Sequence, residues 1–120
     1  MQPEIARRPT SPSAIDRRRH ERVRGPFDGF RVGALETPVR IYDLSCGGCF
    51  INSVHEQGQG VSLTLKIELP YEGWVTVRAE SVYHRPDYGF AVRFTRMSDD
   101  DAQRLERAID ALKERESYDE

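Results

Sequence analysis

Arginines are concentrated near the start of the chain, where they could bind a phosphorylated ligand. Residues 1–24 contain seven arginines and three acidic residues, which gives this segment a net charge of +4. The whole chain contains only two lysines, Lys66 and Lys113. A guanidinium group binds phosphate through paired hydrogen bonds and stacks on flat rings, which an ammonium group cannot do. The segment therefore suits a phosphorylated ligand with aromatic bases, and the alternative that its composition leaves open is a solvated charged tail.

Two cysteines, Cys46 and Cys49, form a Cys-x-x-Cys motif that could be a redox pair or half of a zinc site. A redox pair usually opens a helix, whose dipole lowers the thiol pKa, but this pair leads into an expected strand. Structural zinc needs four ligands, and His20, His55 and His84 are scattered along the chain. We therefore expect two small residues in and beside a turn, with no metal site. A thiol redox domain stays open as a weaker alternative.

Few other residues suggest catalysis or metal binding. His84 follows Tyr83, but no acidic and nucleophilic partners complete an acid–histidine–nucleophile set. The three aspartates at residues 99–101 could bind a metal, yet a helix N-terminus, whose positive end favours acids, explains them more simply. Trp74 begins an expected strand and is assigned to packing in the core or at its rim. We expect a binding module and not an enzyme.

Six short segments between residues 27 and 95 must position these groups. Their apolar residues mostly alternate with polar ones, most regularly in residues 61–69, which predicts strands. The expected strands cover residues 30–34 with a short lead-in, 39–44, 49–52, 61–69, 74–84 and 88–94, and a turn at residues 36–38 closes the first. Because no helix lies between them, the pattern indicates an antiparallel barrel or sandwich, and a closed barrel leaves no exposed edge.

After Ser98, which can cap a helix, the apolar spacing changes to three and four. Ala102, Leu105, Ile109 and Leu112 then form the apolar face of an amphipathic helix. The resulting organisation is a disordered tail at 1–15, one domain at 16–116 and a frayed tail at 117–120. Within the domain we expect an arginine arm at 16–24, a barrel at 27–95 and a helix at 99–115.

Length and charge limit the class of protein. A chain of 120 residues fits one domain. Its longest apolar runs are a few residues, whereas a spanning helix needs about 20, and its N-terminus has no apolar region of a secretory signal. We therefore expect a cytoplasmic protein without membrane insertion. The net charge of −2 and the lack of a basic face on the barrel argue against DNA or RNA as partners.

Two motifs in this order resemble the two-part signature of PilZ domains. Arg18 and Arg22 are spaced as R-x-x-x-R just before the first strand, and residues 43–48 read D-x-S-x-x-G at the end of the second. Residues 88–94 look like the late Gly-containing strand of that family, followed by an acidic loop and a closing helix. The resemblance covers about residues 16–115. It implies a mostly β fold, a six-stranded antiparallel barrel with one C-terminal helix and a flexible N-terminal arm.

The resemblance also implies a ligand, because PilZ domains characteristically bind cyclic-di-GMP. By this resemblance Arg18 and Arg22 grip the phosphates and stack on or bond to guanine. Asp43 accepts hydrogen bonds from the guanine N1–H and exocyclic amine. Ser45 bonds to phosphate or base through its hydroxyl, and Gly48 lets the backbone turn tightly beside the ligand, where a Cβ would clash.

Two further residues follow from the same resemblance. A basic residue at the position of Arg17 tends in this family to accompany a self-intercalated dimer of the nucleotide, so we expect two nucleotides per domain. Tyr83, late in the penultimate strand, is expected to stack on a base, which contributes on the order of 1–3 kcal/mol. Ligand would order the arm and present a new surface to a downstream protein effector. The alternative is a PilZ-fold interaction adaptor that does not bind nucleotide.

Overall fold

The computed structural model describes residues 21–53 and 58–119, with side chains described as far as residue 116. Within these ranges the chain forms six strands followed by a helix. They are β1 (Phe27–Val32), β2 (Glu36–Tyr42), β3 (Gly48–Asn52), β4 (Ser62–Leu69), β5 (Gly73–Arg85), β6 (Gly89–Arg96) and α1 (Asp99–Asp119). The expected tail at 1–15 and the arm as far as residue 20 lie outside the described residues, and the domain boundaries at 16 and 116 stay a prediction.

The six strands close into one antiparallel barrel in the order β1-β2-β3-β6-β5-β4. This confirms the predicted six-stranded barrel with a C-terminal helix. Alternation produces the interior as expected, since Leu63, Leu65 and Ile67 are buried while Ser62 and Glu68 are exposed. The barrel therefore has a filled apolar core, and any ligand must bind to its outer surface or its rim.

The boundary between the first two strands differs from the prediction. Residues 36–38, expected as a turn, form the start of β2, and Pro38 pairs with Phe30 of β1. Only residues 40–42 of β2 also pair with β3. Pro38 therefore lies on a stretch with a single strand neighbour, and such edge positions are where a strand tolerates proline. The proline misled the prediction because it was interpreted as a strand terminator.

Helix α1 begins at the predicted cap, because the Asp101 N–H donates to Ser98 Oγ at 3.0 Å. Its buried residues are Leu105, Ala108 and Ile109, whereas Ala102, expected on the apolar face, is exposed. The helix continues to Asp119, beyond the expected end at residue 115. No glycine or proline follows residue 98 to stop it.

The helix is fastened to the turn between β4 and β5 by charged residues. Glu72 accepts hydrogen bonds from Arg107 Nε at 3.3 Å and Arg107 Nη2 at 3.0 Å, and its backbone carbonyl accepts one from Arg104. The hydrogen bond from Arg107 lowers the pKa of the Glu72 carboxyl below its ordinary value, because it stabilises the charged form. These contacts hold the first half of α1 at the turn between β4 and β5.

Candidate ligand-binding site

The last residues of the arm are attached to the D-x-S-x-x-G turn by one backbone pair. Val23 and Leu44 exchange N–H···O hydrogen bonds of 2.9 and 3.0 Å, and both side chains are buried in the core. The pairing is antiparallel, so Arg22 lies on the side of Ser45 and Arg24 on the side of Asp43. One of the two motif arginines is thereby fixed beside the turn.

Asp43 begins this turn in a left-handed backbone conformation, with φ at 51°. Aspartate tolerates that region better than most residues, because its short polar side chain can bond locally. The Asp43 side chain is exposed, and it does not line the cleft described below. No side chain within residues 21–53 and 58–116 is bonded to its carboxylate, which leaves that group open to a ligand at the edge of the site.

The Ser45 hydroxyl stabilises the turn by hydrogen bonds to its backbone. Its Oγ accepts hydrogen bonds from the N–H groups of Gly47 and Gly48, both at 3.1 Å, and donates to the Gly48 carbonyl at 3.2 Å. A hydroxyl has one donor and two acceptor positions, so these contacts use all three. A hydrogen bond from Ser45 to phosphate or base would have to replace one of them.

The fold itself requires a glycine at position 48. A Cβ at this position would lie against the Val92 carbonyl of β6, closer than real Cβ atoms approach backbone. The neighbouring strand thus already excludes any side chain there, and the expected approach of Gly48 to the ligand stays a prediction. The Phe94 N–H donates to the Gly47 carbonyl at 2.8 Å, so the glycine pair holds the turn tightly against β6.

An open cleft of about 400 Å³ lies over this turn. Residues 45–49, 82–83 and 91–94 line it together with Arg22. It thus brings together four of the predicted site residues, namely Arg22, Ser45, Gly48 and Tyr83. Asp43 stands outside the lining, and the predicted contributions of Arg17 and Arg18 lie outside the described residues.

The strand register explains the shape of the cleft. On the outer face of the barrel Gly48 lies opposite Arg93, and Arg93 opposite Glu80. In the next row Ala91 lies opposite Tyr83. Small residues therefore form the floor of the cleft, and Arg22, Tyr83 and Arg93 line its sides. Tyr83 is about half exposed and lies in the cleft lining.

Arg93 is a site residue that the sequence analysis missed. Its guanidinium forms an ion pair with Glu80, yet its side chain remains 62% exposed. The outward orientation of Arg93 follows from the alternation in β6. Because Phe90 and Val92 are buried, Ala91 and Arg93 must point outward. Identifying the residue from sequence would have needed the pairing of β6 with the turn.

The two cysteines differ in environment. Cys46 is half-buried in the cleft, whereas Cys49 is buried in the core, and neither forms a disulfide. Burial raises the pKa of the Cys49 thiol far above its ordinary value, which keeps it protonated and a poor nucleophile. This environment does not favour the redox alternative. Residues 21–53 and 58–119 contain no cluster of three metal-ligating side chains, and no helix in them is long and apolar enough to cross a membrane.

Comparisons with known proteins identify the family and the fold. The PilZ domain family model matches residues 16–111. The inhibitor of motility MotI/DgrA of Bacillus subtilis aligns with a TM-score of 0.68 and 20% identity, over 81% of this chain and 52% of that one. The PilZ domain of YcgR from Escherichia coli, solved with c-di-GMP, aligns with a TM-score of 0.63 and 20% identity, over 87% of this chain and 98% of that one.

Coverage and sequence identity decide what these structural similarities show. This chain spans about half the length of the Bacillus subtilis protein. No curated protein matches its sequence. At 20% identity these two structural similarities establish the fold alone.

Proposed function

Because this chain belongs to the PilZ family, we propose that it is a cyclic-di-GMP receptor whose binding site is the cleft beside Arg22 and Gly48. The observation that carries this proposal is the pairing of Val23 with Leu44, since it holds an arginine of the R-x-x-x-R motif over the D-x-S-x-x-G turn. Within the described residues the cleft lining contains two arginines and no carboxylate, which suits an anion. The c-di-GMP bound to the YcgR domain supports the same ligand class here.

Each motif residue has a role that matches a part of the nucleotide. Arg18 and Arg22 neutralise the phosphates and stack on guanine. The exposed Asp43 carboxylate accepts from the guanine N1–H and exocyclic amine, whereas adenine would present an acceptor at N1 and leave polar groups unpaired. Gly48 and Ser45 contribute by shaping the turn, and Tyr83 offers a ring for stacking.

The ligand is proposed to bind as a self-intercalated dimer. Arg17 precedes the R-x-x-x-R motif directly and adds a further guanidinium for the four phosphates that two nucleotides carry. A calorimetric stoichiometry near two is the expected result. A stoichiometry near one would remove this part of the proposal and leave the receptor function intact.

Signalling is proposed to pass through the contacts between the arm and α1. Lys113 Nζ donates to the Arg22 carbonyl at 3.3 Å, and the Arg24 N–H donates to Glu116 Oε2 at 3.1 Å. A ligand that binds Arg22 and draws the arm onto the barrel therefore acts on backbone that the end of the helix contacts. The changed arm and helix surface would be presented to a downstream protein effector. Amide exchange that is equally fast across residues 1–24 with and without ligand would contradict this mechanism.

A PilZ-fold adaptor that does not bind nucleotide is the second candidate. It is favoured by Ser45, whose hydroxyl is fully engaged inside the turn, and by Asp43, which lies outside the cleft lining. An adaptor would keep the barrel and the turn for structural reasons and would bind proteins through another face.

Calorimetric titration distinguishes the two candidates. Cyclic-di-GMP and cyclic-di-AMP should each be titrated into the unaltered protein, Arg22→Ala and Asp43→Ala. A receptor gives saturable heat with cyclic-di-GMP, weaker binding by both variants and a marked preference over cyclic-di-AMP that Asp43→Ala reduces. No saturable heat with either nucleotide would reject the receptor function and leave the adaptor.

A further inference from the structure

A second arginine faces the ligand cleft from the barrel itself. Arg93 lies on β6 directly opposite Gly48, and with Arg22 it is one of the two charged residues in the lining formed by the described part of the chain. The two arginines belong to different parts of the fold, because Arg22 lies on the arm and Arg93 lies on strand β6 of the barrel. An anion over the glycine floor would therefore have a guanidinium on more than one side.

The partner of Arg93 in the free protein is Glu80. The two residues lie opposite each other in the β5–β6 pair and form an ion pair. Both side chains are well exposed, 62% for Arg93 and 38% for Glu80, and exposed ion pairs of this kind contribute little to stability. Glu80 does not line the cleft. Its carboxylate thus holds Arg93 weakly from outside the space that the ligand would occupy.

A guanidinium in this position retains unused donors. Arginine carries five N–H donors in a planar fork, and one carboxylate can engage two of them at most in a parallel geometry. The remaining donors can reach a phosphate oxygen without removing Arg93 from the cleft. A phosphate that competes with Glu80 for the guanidinium has only an exposed ion pair to displace.

We propose that Arg93 binds a phosphate of the cyclic dinucleotide across the cleft from Arg22, and that Glu80 lowers the affinity by competing for the Arg93 guanidinium. This inference rests on the proposed function, because it names a further ligand-binding residue of the same cleft. Arg93 belongs to neither sequence motif. It would supply a barrel-based phosphate contact that does not depend on the position of the arm.

The two residues are expected to act in opposite directions. Arg93→Ala and Arg93→Gln should each weaken cyclic-di-GMP binding by roughly tenfold or more, because both remove charge-assisted hydrogen bonds. Glu80→Gln should tighten binding by roughly two- to fivefold, the range that loss of an exposed ion pair allows. In Glu80→Gln/Arg93→Gln the gain should disappear, since Glu80 acts through Arg93.

The test is calorimetric titration of these variants with cyclic-di-GMP at low and high salt. Arg96→Ala is the matched control, because Arg96 is exposed on the same strand and does not line the cleft. The control should bind within about twofold of the unaltered protein, while the loss in Arg93→Gln should shrink at high salt as screening weakens the phosphate contact. Thermal unfolding of each variant shows that the barrel is intact, and Arg93→Gln keeps the aliphatic stem if Arg93→Ala does not fold.

Two results would overturn the inference. One is an Arg93→Gln variant that binds as tightly as the unaltered protein while Arg22→Ala is impaired. The other is a Glu80→Gln variant that binds more weakly, since that would make Glu80 a support for the site and not a competitor. If the unaltered protein itself gives no saturable heat, the proposed receptor function fails instead, and the two failures are thus distinguishable.

Discussion

Val23 and Leu44 are joined by two backbone hydrogen bonds of 2.9 and 3.0 Å, and both side chains are fully buried. This pair is an isolated bridge outside the six strands. It connects two segments that are separated in the sequence by both β1 and β2. Any change that weakens the Val23–Leu44 pair should release Arg22 from the cleft. We therefore expect ligand affinity to depend on the packing of Val23.

Val23→Ala should reduce both stability and affinity. Removing two buried methyl groups should lower the free energy of unfolding by about 1–2 kcal/mol, and Arg22 should lose its fixed place. Val75→Ala is the matched control, because Val75 is equally buried on β5 and does not line the cleft. Urea unfolding and cyclic-di-GMP titration should show similar destabilisation in both variants and weaker binding only in Val23→Ala. Equal affinities would mean that the pair does not position Arg22.

Gly48→Ala should destabilise the fold whether or not ligand is present. The added Cβ would press on the Val92 carbonyl, which is backbone and cannot move aside cheaply, so a loss of roughly 1–3 kcal/mol is expected. Gly33→Ala is the control, since a Cβ there meets nothing closer than 3.7 Å. Urea unfolding of the two proteins without ligand should separate them clearly. A Gly48→Ala protein as stable as Gly33→Ala would show that the two strands can separate at low cost.

Tyr83→Ala should weaken cyclic-di-GMP binding by roughly fivefold to a hundredfold, the range expected for loss of one base-stacking partner. Tyr83→Phe keeps the ring and should bind nearly as the unaltered protein does. Tyr88→Ala provides the control for an exposed tyrosine that does not line the cleft. If Tyr83→Phe loses as much affinity as Tyr83→Ala, the phenol hydroxyl, and not stacking, is the contribution of this residue.

Glu72→Gln should lower the melting temperature at neutral pH and have a smaller effect in acid. The pKa of the Glu72 carboxyl is lower in the folded protein than in the unfolded chain, because Arg107 stabilises the charged form. Its contribution to stability is therefore present above the unfolded pKa of about 4.3 and is lost as pH falls through the lower folded pKa. Thermal unfolding between pH 7 and pH 3 measures this difference.

The control for this pH dependence is Glu68→Gln, an exposed carboxylate on β4 that is bonded to no side chain of residues 21–53 and 58–116. Its melting temperature should follow that of the unaltered protein across the same range. A Glu72→Gln effect that is constant with pH would show that the lost contact is a neutral hydrogen bond and not the charged pair.

The fold could be predicted from the sequence where local pattern and global structure agree. Alternation in residues 61–69 identified both the strand and its inward face, and Ser98 identified the start of α1. Pro38 misled the prediction, because whether a proline ends a strand depends on how many neighbouring strands pair with that part of the chain. That number is a property of the closed sheet and not of the local sequence.

The site was predictable only in part, for a related reason. Arg22, Ser45 and Gly48 belong to the two motifs, Tyr83 holds the aromatic position that the resemblance indicated, and all four line one cleft. The contribution of Arg93 follows from cross-strand register, which places it opposite Gly48. The constraint that β6 places on Gly48 comes from the same register. Such long-range pairings are not visible in a single sequence without the strand order.

The central claim, that cyclic-di-GMP binds over the turn between β2 and β3, is tested most directly by amide chemical shifts. In a ¹⁵N-labelled protein titrated with cyclic-di-GMP, the account predicts saturable shifts of the Ser45, Gly47 and Gly48 amides. The amides of Trp74, at the opposite end of β5 from Tyr83, and of Lys66 on β4 belong to residues outside the cleft lining and should remain unchanged. Absence of saturable shifts in residues 45–48, or saturable shifts confined to the surface around Trp74, would contradict the account.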